Sequence, residues 1–162
     1  MSAPPDDFVL RPAIAADIPA ITDLVNRAFV VERFFVAGDR LSREEVARLL
    51  EVGRFLLLGA ADQPPAGSIY VELRGERGYF GLLSVDPGRQ GRGIGRRLVA
   101  AAEDSCRAAG CTAMDIKVVN LRRDLPPIYR KLGYVETGTE PFVPGVVPLE
   151  PCHFILMSKP LG

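Results

Sequence analysis

With 162 residues, 48% of them hydrophobic, the chain is long enough for one buried core and short for two. Its 20 basic and 20 acidic side chains cancel, which excludes a broad basic face for following a nucleic-acid backbone. No apolar run approaches the ~20 residues of a membrane span, and Met1 to Asp7 lacks the basic-then-apolar pattern of a secretion signal, so a cytoplasmic protein is expected, with neither membrane nor nucleic acid as partner.

Phe8 to Arg11 reads as a first strand stopped by Pro12, and Asp17 stands at an N-cap position before a helix whose Ile18, Ile21, Leu24, Val25 and Ala28 form one apolar stripe. Ser42 and Glu45 have capping-box spacing ahead of a second helix with Val46, Leu49 and Leu50 inside and Gly53 at its end. The period then becomes extended. Arg54–Ala60, Ser68–Arg74 and Gly78–Val85 are predicted as strands two to four, joined at hairpin distances into an antiparallel meander.

A long helix is predicted from about Gly93 to Ala109, with Ile94, Leu98, Ala101, Ala102 and Ser105 on one side and Gly110 as its stop. Strand five follows at Ala113–Val119, then a short helix from Pro126 to Leu132 ended by Gly133, and strand six at Tyr134–Thr139. Beyond a loop carrying Pro141, Pro144, Pro148 and Pro151, Cys152–Met157 is apolar enough to be a strand buried on both faces, with His153 at its start. Cys106, Cys111 and Cys152 form no close metal-ligand pair and read as reduced and structural, so no metal is expected. A cysteine nucleophile would have only His153 to activate it.

The chemistry concentrates in residues 82–98, where an apolar strand runs through Val85-Asp86-Pro87 into Gln90-Gly91-Arg92-Gly93-Ile94-Gly95 and a helix. Side-chain-free positions let a backbone wrap around an anion while the orphan N–H groups of the helix point at it. Four arginines, Arg89, Arg92, Arg96 and Arg97, crowd into the same stretch and call for a compact polyanion. The spacing is neither a dinucleotide fingerprint, since Arg96 or Leu98 stands where the third glycine would be, nor a Walker loop, which needs Lys-Ser/Thr at its end. The plain alternative is an ordinary strand-to-helix turn with arginines on its wet side.

Gln-x-x-Gly-x-Gly at Gln90–Gly95, after Val85-x-Pro87 and before Leu98, resembles the coenzyme A loop of the GNAT (general N-acetyltransferase-type) acyl-CoA acyltransferase superfamily. Leu10-Arg11-Pro12 with Asp17-Ile18 resembles that superfamily's opening, and Ile128-Tyr129-Arg130-Lys131-Leu132-Gly133-Tyr134 its segment after strand five. The resemblance covers almost the entire chain and implies a single GNAT domain over residues 1–162. The implied fold is α/β (α+β), a mixed central sheet of six to seven strands flanked by helices and parted at strands four and five, with the pantetheine arm in the cleft. Acetyl-CoA would be the cosubstrate and an amine of a small molecule or peptide the acceptor. The alternative is a coenzyme A sensor of the same fold without turnover.

By that resemblance the cofactor would meet Leu83, Ser84, Val85, Arg89, Gln90, Gly91, Arg92, Gly93, Ile94, Gly95 and Arg96, and Asn120 would touch the pantetheine arm, although it stands nine residues before Tyr129 with Pro126-Pro127 between. Tyr129 stands where the family places the acid that protonates the departing thiolate. Strand four holds no carboxylate for the base that many members carry there. Glu72 is the first candidate, because Ser68, Tyr70, Glu72 and Arg74 share one strand face; its plain alternative is a solvated carboxylate. Glu32 is the second, in an apolar segment with Phe35 that should cover the acceptor end; the alternative there is packing of Phe34 and Phe35 with Glu32 paired to Arg33 or Arg40. Tyr134 reads as core, His153 as a core histidine, and the proline-rich loop as a possible homodimer contact.

Overall fold

The computed structural model describes residues 7–143 and 146–162, so residues 1–6 and Pro144 of the proline-rich loop lie outside the described residues. Seven strands are present: β1 (Val9–Pro12), β2 (Arg54–Gly59), β3 (Gly67–Arg74), β4 (Arg77–Val85), β5 (Ala113–Val119), β6 (Val135–Pro141) and β7 (His153–Pro160). The α-helices are α1 (Ile18–Ala28), α2 (Arg43–Val52), α3 (Ile94–Ala108) and α4 (Leu125–Lys131). The strands form one mixed sheet in the order β1-β2-β3-β4-β5-β7-β6. Strands β1 to β4 pair antiparallel, β2 to β4 through short connections and β1 with β2 across the segment that holds α1 and α2, and β7 inserts antiparallel between β5 and β6.

Strand alternation sends successive side chains to opposite faces, and each face has its own core. Leu56, Leu58, Ile69 and Val71 meet Ile94, Leu98, Ala102 and Cys106 of α3 together with Met114 and Tyr134. On the other face Phe55, Leu57 and Tyr70 meet Ile21, Val25, Leu41 and Val46 from α1, α2 and their connection. The closeness of α3 depends on glycines in the strands as well as on small residues in the helix. A Cβ at Gly67 would lie 2.8 Å from Ile94 and Leu98, and one at Gly78 would lie 2.4 Å from Cys106 Sγ.

The capping box of α2 forms in full: Glu45 N donates to Ser42 Oγ at 3.2 Å and Ser42 N donates to Glu45 Oε1 at 3.1 Å. Asp17 differs from expectation. It precedes α1, but its carboxylate accepts from Ile14 N at 2.8 Å and binds both Arg11 guanidinium nitrogens, and that pairing holds it below the usual carboxylate range. Pro12 is the last residue of β1 rather than its stop, which an edge strand tolerates because no neighbour needs its N–H. Strand β7 runs on to Pro160, with Phe154 and Met157 buried but Ile155 and Leu156 only half-buried, so it is not covered on both faces. His153 is exposed, correcting its reading as a core histidine.

Tyr134 is fully buried and donates its hydroxyl proton to Glu103 Oε2 at 2.7 Å, and Lys159 Nζ approaches both oxygens of that carboxylate at 3.1 Å. This network ties α3 to β7 beneath the end of α4. Tyr134→Phe is predicted to cost roughly 1.5–3 kcal/mol in urea-induced unfolding, the range for a hydrogen bond to a buried charge. A loss too small to resolve would mean that Lys159 alone satisfies Glu103.

Candidate active site

Strands β4 and β5 are hydrogen-bonded only from Arg77–Tyr79 to Ala113–Asp115. Beyond Tyr79 they part, and the edge of β4 that would face β5 carries backbone groups with no strand to bond. The registers Ser68↔Ser84 and Tyr70↔Gly81 show an extra residue in β4, and Leu82 takes up the distortion at φ 53°. A left-handed leucine costs on the order of 1–3 kcal/mol, so the surrounding packing has to enforce it. Ser84 helps by donating its hydroxyl to Leu82 O at 3.0 Å. Ser84 is therefore buried and spent on the bulge, and only its backbone remains for a cofactor.

A cavity of about 790 Å³ occupies the opening. Gly81, Leu82 and Leu83 of β4 form one wall, Ile116 to Val119 of β5 another, and the segment between α1 and α2 with Arg122 and Tyr129 closes the remainder. A second hollow of about 590 Å³ lies between the C-terminal ends of α2 and α3, lined by Gly53, Leu73 and Ala109, with Arg54 as its one ionisable side chain. It offers no acid–base chemistry.

At the C-terminal end of β4, Asp86 organises the turn by accepting from Gly88 N at 3.1 Å and pairing with Arg27 at 3.3 Å. Gly91 and Gly93 both lie in the left-handed region, at φ 84° and 74°, where a side chain would be strained. Gly93 is the N-cap of α3, and no side chain caps that helix. Its first N–H groups therefore lack a side-chain cap among the described residues and lie at the positive end of the helix dipole, where an anion is stabilised. A Cβ at Gly95 would meet Val85 and Leu83 at 3.7 and 3.9 Å, so the start of α3 packs on the residue that also lines the cavity. Gln90, Arg92 and Arg96 are exposed around the nest, whereas Arg89 is half-buried between Asp86, 3.9 Å away, and the Phe8 ring.

Across the cavity, Tyr70, Glu72 and Arg74 share a face of β3 as expected and are linked: Tyr70 donates to Glu72 Oε2 at 2.9 Å and Arg74 Nε donates to Glu72 Oε1 at 2.9 Å. The Arg74 guanidinium also stacks 4.0 Å above the Tyr79 ring. Its hydrogen bond holds Glu72 below the usual carboxylate range, while burial and the anionic neighbour push Tyr70 up. Glu72 is thus not freely solvated, since each of its oxygens accepts a side-chain hydrogen bond.

Glu32 lies beside neither Arg33 nor Arg40 as an ion pair. Arg33 binds Asp39, and Glu32 Oε2 accepts from Arg122 Nη1 at 2.8 Å. Burial raises the Glu32 carboxyl above its ordinary range in spite of Arg122. Phe35 is corrected as a substrate contact: it is 0% exposed and packs with Val119 and Phe154, behind the cavity wall. Asn120 Oδ1 accepts from His153 N at 2.8 Å and closes the end of the β5–β7 pair, which leaves only its amide nitrogen for a passing ligand. Tyr129 lines the cavity beside Phe80, and burial pushes its hydroxyl up to about 12. Arg40, Arg74, Tyr79 and Arg122 also line the cavity. Only the strand alternation around Arg74 gave a signal for any of them.

The parted strand of this split mixed sheet thus ends at an uncapped, glycine-opened helix. The chain belongs to the family described as the acetyltransferase (GNAT) domain, whose match covers residues 25–150. It is 35% identical over 96 residues to an IAA acetyltransferase of Azospirillum brasilense, covering 59% of each chain. It is 31% identical over 78 residues to the streptothricin acetyltransferase of Streptomyces lavendulae, covering 48% of this chain and 41% of that one. The matched segments thus span about half the length of these curated relatives. Among solved structures, yncA of Salmonella typhimurium, determined with its cofactor acetyl-CoA, shares the fold with a TM-score of 0.72 at 21% identity, over 96% of this chain and 95% of that one.

Because Glu32 titrates above its ordinary value in the folded state, its stabilising contribution is present below the unfolded pKa and lost as pH rises through the folded one. Glu32→Gln should therefore gain stability relative to the parent as pH is raised from about 4 toward 7, measured by urea unfolding across that window. A difference that is flat or of opposite slope would show that Arg122 outweighs burial.

Proposed function

We propose that this chain is an acyl-CoA-dependent N-acyltransferase that moves the acetyl group of acetyl-CoA to a primary amine of a small molecule or peptide, as one acyltransferase unit. The observation that carries the reading is the conjunction of an uncapped α3 N-terminus, opened by left-handed Gly91 and Gly93, with a β4 edge released from β5 immediately before it. The first fits a pyrophosphate and the second fits an extended amide-bearing arm, which are the two ends of coenzyme A. That yncA was determined with acetyl-CoA and that the curated relatives are acetyltransferases by name support the same assignment.

In this reading the backbone of Gln90 to Arg96 receives the pyrophosphate, with Arg92 and Arg96 as outer cations, and Leu83 to Val85 align the pantetheine arm. The parted N–H groups of β4 are then positioned for the oxyanion of the tetrahedral intermediate. The acceptor enters from the opposite side, between Glu32 and the Tyr70–Glu72–Arg74 chain. An ammonium of pKa ~10 must lose a proton before attack. Glu32 suits that task better than Glu72, because burial outweighs its Arg122 partner and raises its carboxyl, while the Arg74 hydrogen bond holds the Glu72 carboxyl below its usual range. Glu72 then serves to hold the Tyr70 hydroxyl in place.

Tyr129 remains protonated throughout the physiological range, since its hydroxyl titrates near about 12. It is a weaker acid than an alkyl thiol of ~8.5, so its role is to donate a hydrogen bond to the departing sulfur rather than to surrender its proton outright. Three free cysteines, with the buried Cys106 thiol pushed up to about 11, fit a reducing cytoplasmic setting.

Gly93→Glu is predicted to abolish acetyl-CoA binding in calorimetric titration, because a side chain at φ 74° is strained and a carboxylate would occupy the anion nest. Unchanged affinity would remove the pyrophosphate assignment. Tyr129→Phe should keep acetyl-CoA affinity within about twofold and slow thiol release by roughly 10²–10³-fold, the effect of removing one hydrogen-bond donor from the transition state. Normal turnover in that variant would take Tyr129 out of the reaction.

A further inference from the structure

The acceptor end of the cavity can be accounted for charge by charge. Four carboxylates line it, and all are committed. Glu45 accepts from Ser42 N in the capping box, Asp39 pairs with Arg33 at 3.1 Å, Glu72 with Arg74 at 2.9 Å and Glu32 with Arg122 at 2.8 Å. Five cations line the same cavity. Arg74 and Arg122 are used in those pairs, and Lys117 reaches Glu140 at 3.5 Å. Arg40 and Arg48 make no ion pair among the described residues.

Arg40 is the better placed of the two. Its guanidinium lies 5.7 Å from the Phe29 ring centroid and acts electrostatically on both Glu32 and Tyr79, so its charge is felt inside the cavity. A guanidinium fork matches a carboxylate in two hydrogen bonds, and the Arg40 side chain is exposed and so open to one. An acceptor carrying positive charge alone would meet carboxylates already neutralised and two cations that are not. An acceptor whose amine stands next to a carboxylate would find Arg40 for the carboxylate, and its amine would need a proton acceptor rather than an unpaired anion.

Resting on the acyltransferase reading, we infer that the acceptor is an amine bearing its own carboxylate, an amino-acid-like molecule with an apolar body, and that Arg40 is the residue that selects it. The apolar body follows from Val36, Leu49, Phe142, Val143 and Phe154, which line the remainder of that end. Arg40 acts in binding and orientation and touches no reacting atom.

The test compares leucine with leucinamide and phenylalanine with phenylalaninamide as acceptors, following thiol release from acetyl-CoA, in the parent and in Arg40→Gln, Arg40→Lys and Arg43→Gln. Arg43 is exposed at the start of α2 and lies outside the cavity wall, so it controls for a general loss of surface charge. Expected is a kcat/KM about tenfold or more higher for the carboxylate of each pair. That ratio should collapse toward one in Arg40→Gln, recover in part in Arg40→Lys and stay unchanged in Arg43→Gln. Amides equal to or better than the acids, a ratio indifferent to Arg40, or no turnover of any of the four with acetyl-CoA binding intact would each overturn the inference. Absence of acetyl-CoA binding in calorimetry would instead overturn the acyltransferase reading on which it rests.

Discussion

The structure turns on a pairing that stops. Parallel hydrogen bonding between β4 and β5 covers three residues on each strand and then ends, because the extra residue around Leu82 bends β4 away. An unpaired strand edge inside a fold is costly unless something satisfies it. Here the opening is held by packing on both faces of the sheet. Ile94 and Leu98 press on Gly67 from one side, and Tyr70 fixes Leu57 and Val25 from the other. The backbone groups released by the split are the ones a ligand of amide character can bond.

The same split explains why the anion nest is located where it is. As β4 leaves β5, its C-terminal end delivers the chain to a turn organised by Asp86, and α3 starts without a side-chain cap. A Ser or Asp at Gly93 would have satisfied one of the orphan N–H groups and stabilised the isolated helix. The chain forgoes that stability and keeps a left-handed glycine, which is the cost of leaving those donors to a ligand. On the far side of the cavity the opposite choice is made: Glu32 and Glu72 are each tied to an arginine, and among the described residues of the lining Arg40 and Arg48 are the cations without an ion pair.

Much of the fold was legible in residue order because its signals are local. Ser42 and Glu45 stand three apart and form their capping box, Gly53, Gly110 and Gly133 follow the helices they end, and the glycine spacing from Gln90 marks the start of α3. Within the candidate site, strand alternation made the face shared by Tyr70, Glu72 and Arg74 legible, whereas Tyr129 was singled out only through the family resemblance. It was not legible where long-range pairing decides. Arg122 lies ninety positions from Glu32, so neighbouring Arg33 and Arg40 were the natural partners to expect. Phe35 faces inward because β5 and β7 bring Val119 and Phe154 beneath it, and His153 faces outward because strand phase leaves Phe154 as the buried neighbour.

The most direct test of the central claim is the response of backbone amides to acetyl-CoA in a two-dimensional nitrogen–proton spectrum of the isotopically labelled chain. The account predicts the largest shifts at Leu83 and Val85 on the released edge of β4 and at Gly91, Gly93 and Gly95 in the nest, saturating together. Shifts absent from those amides, or centred on Gly53 and Ala109 in the far hollow, would contradict it.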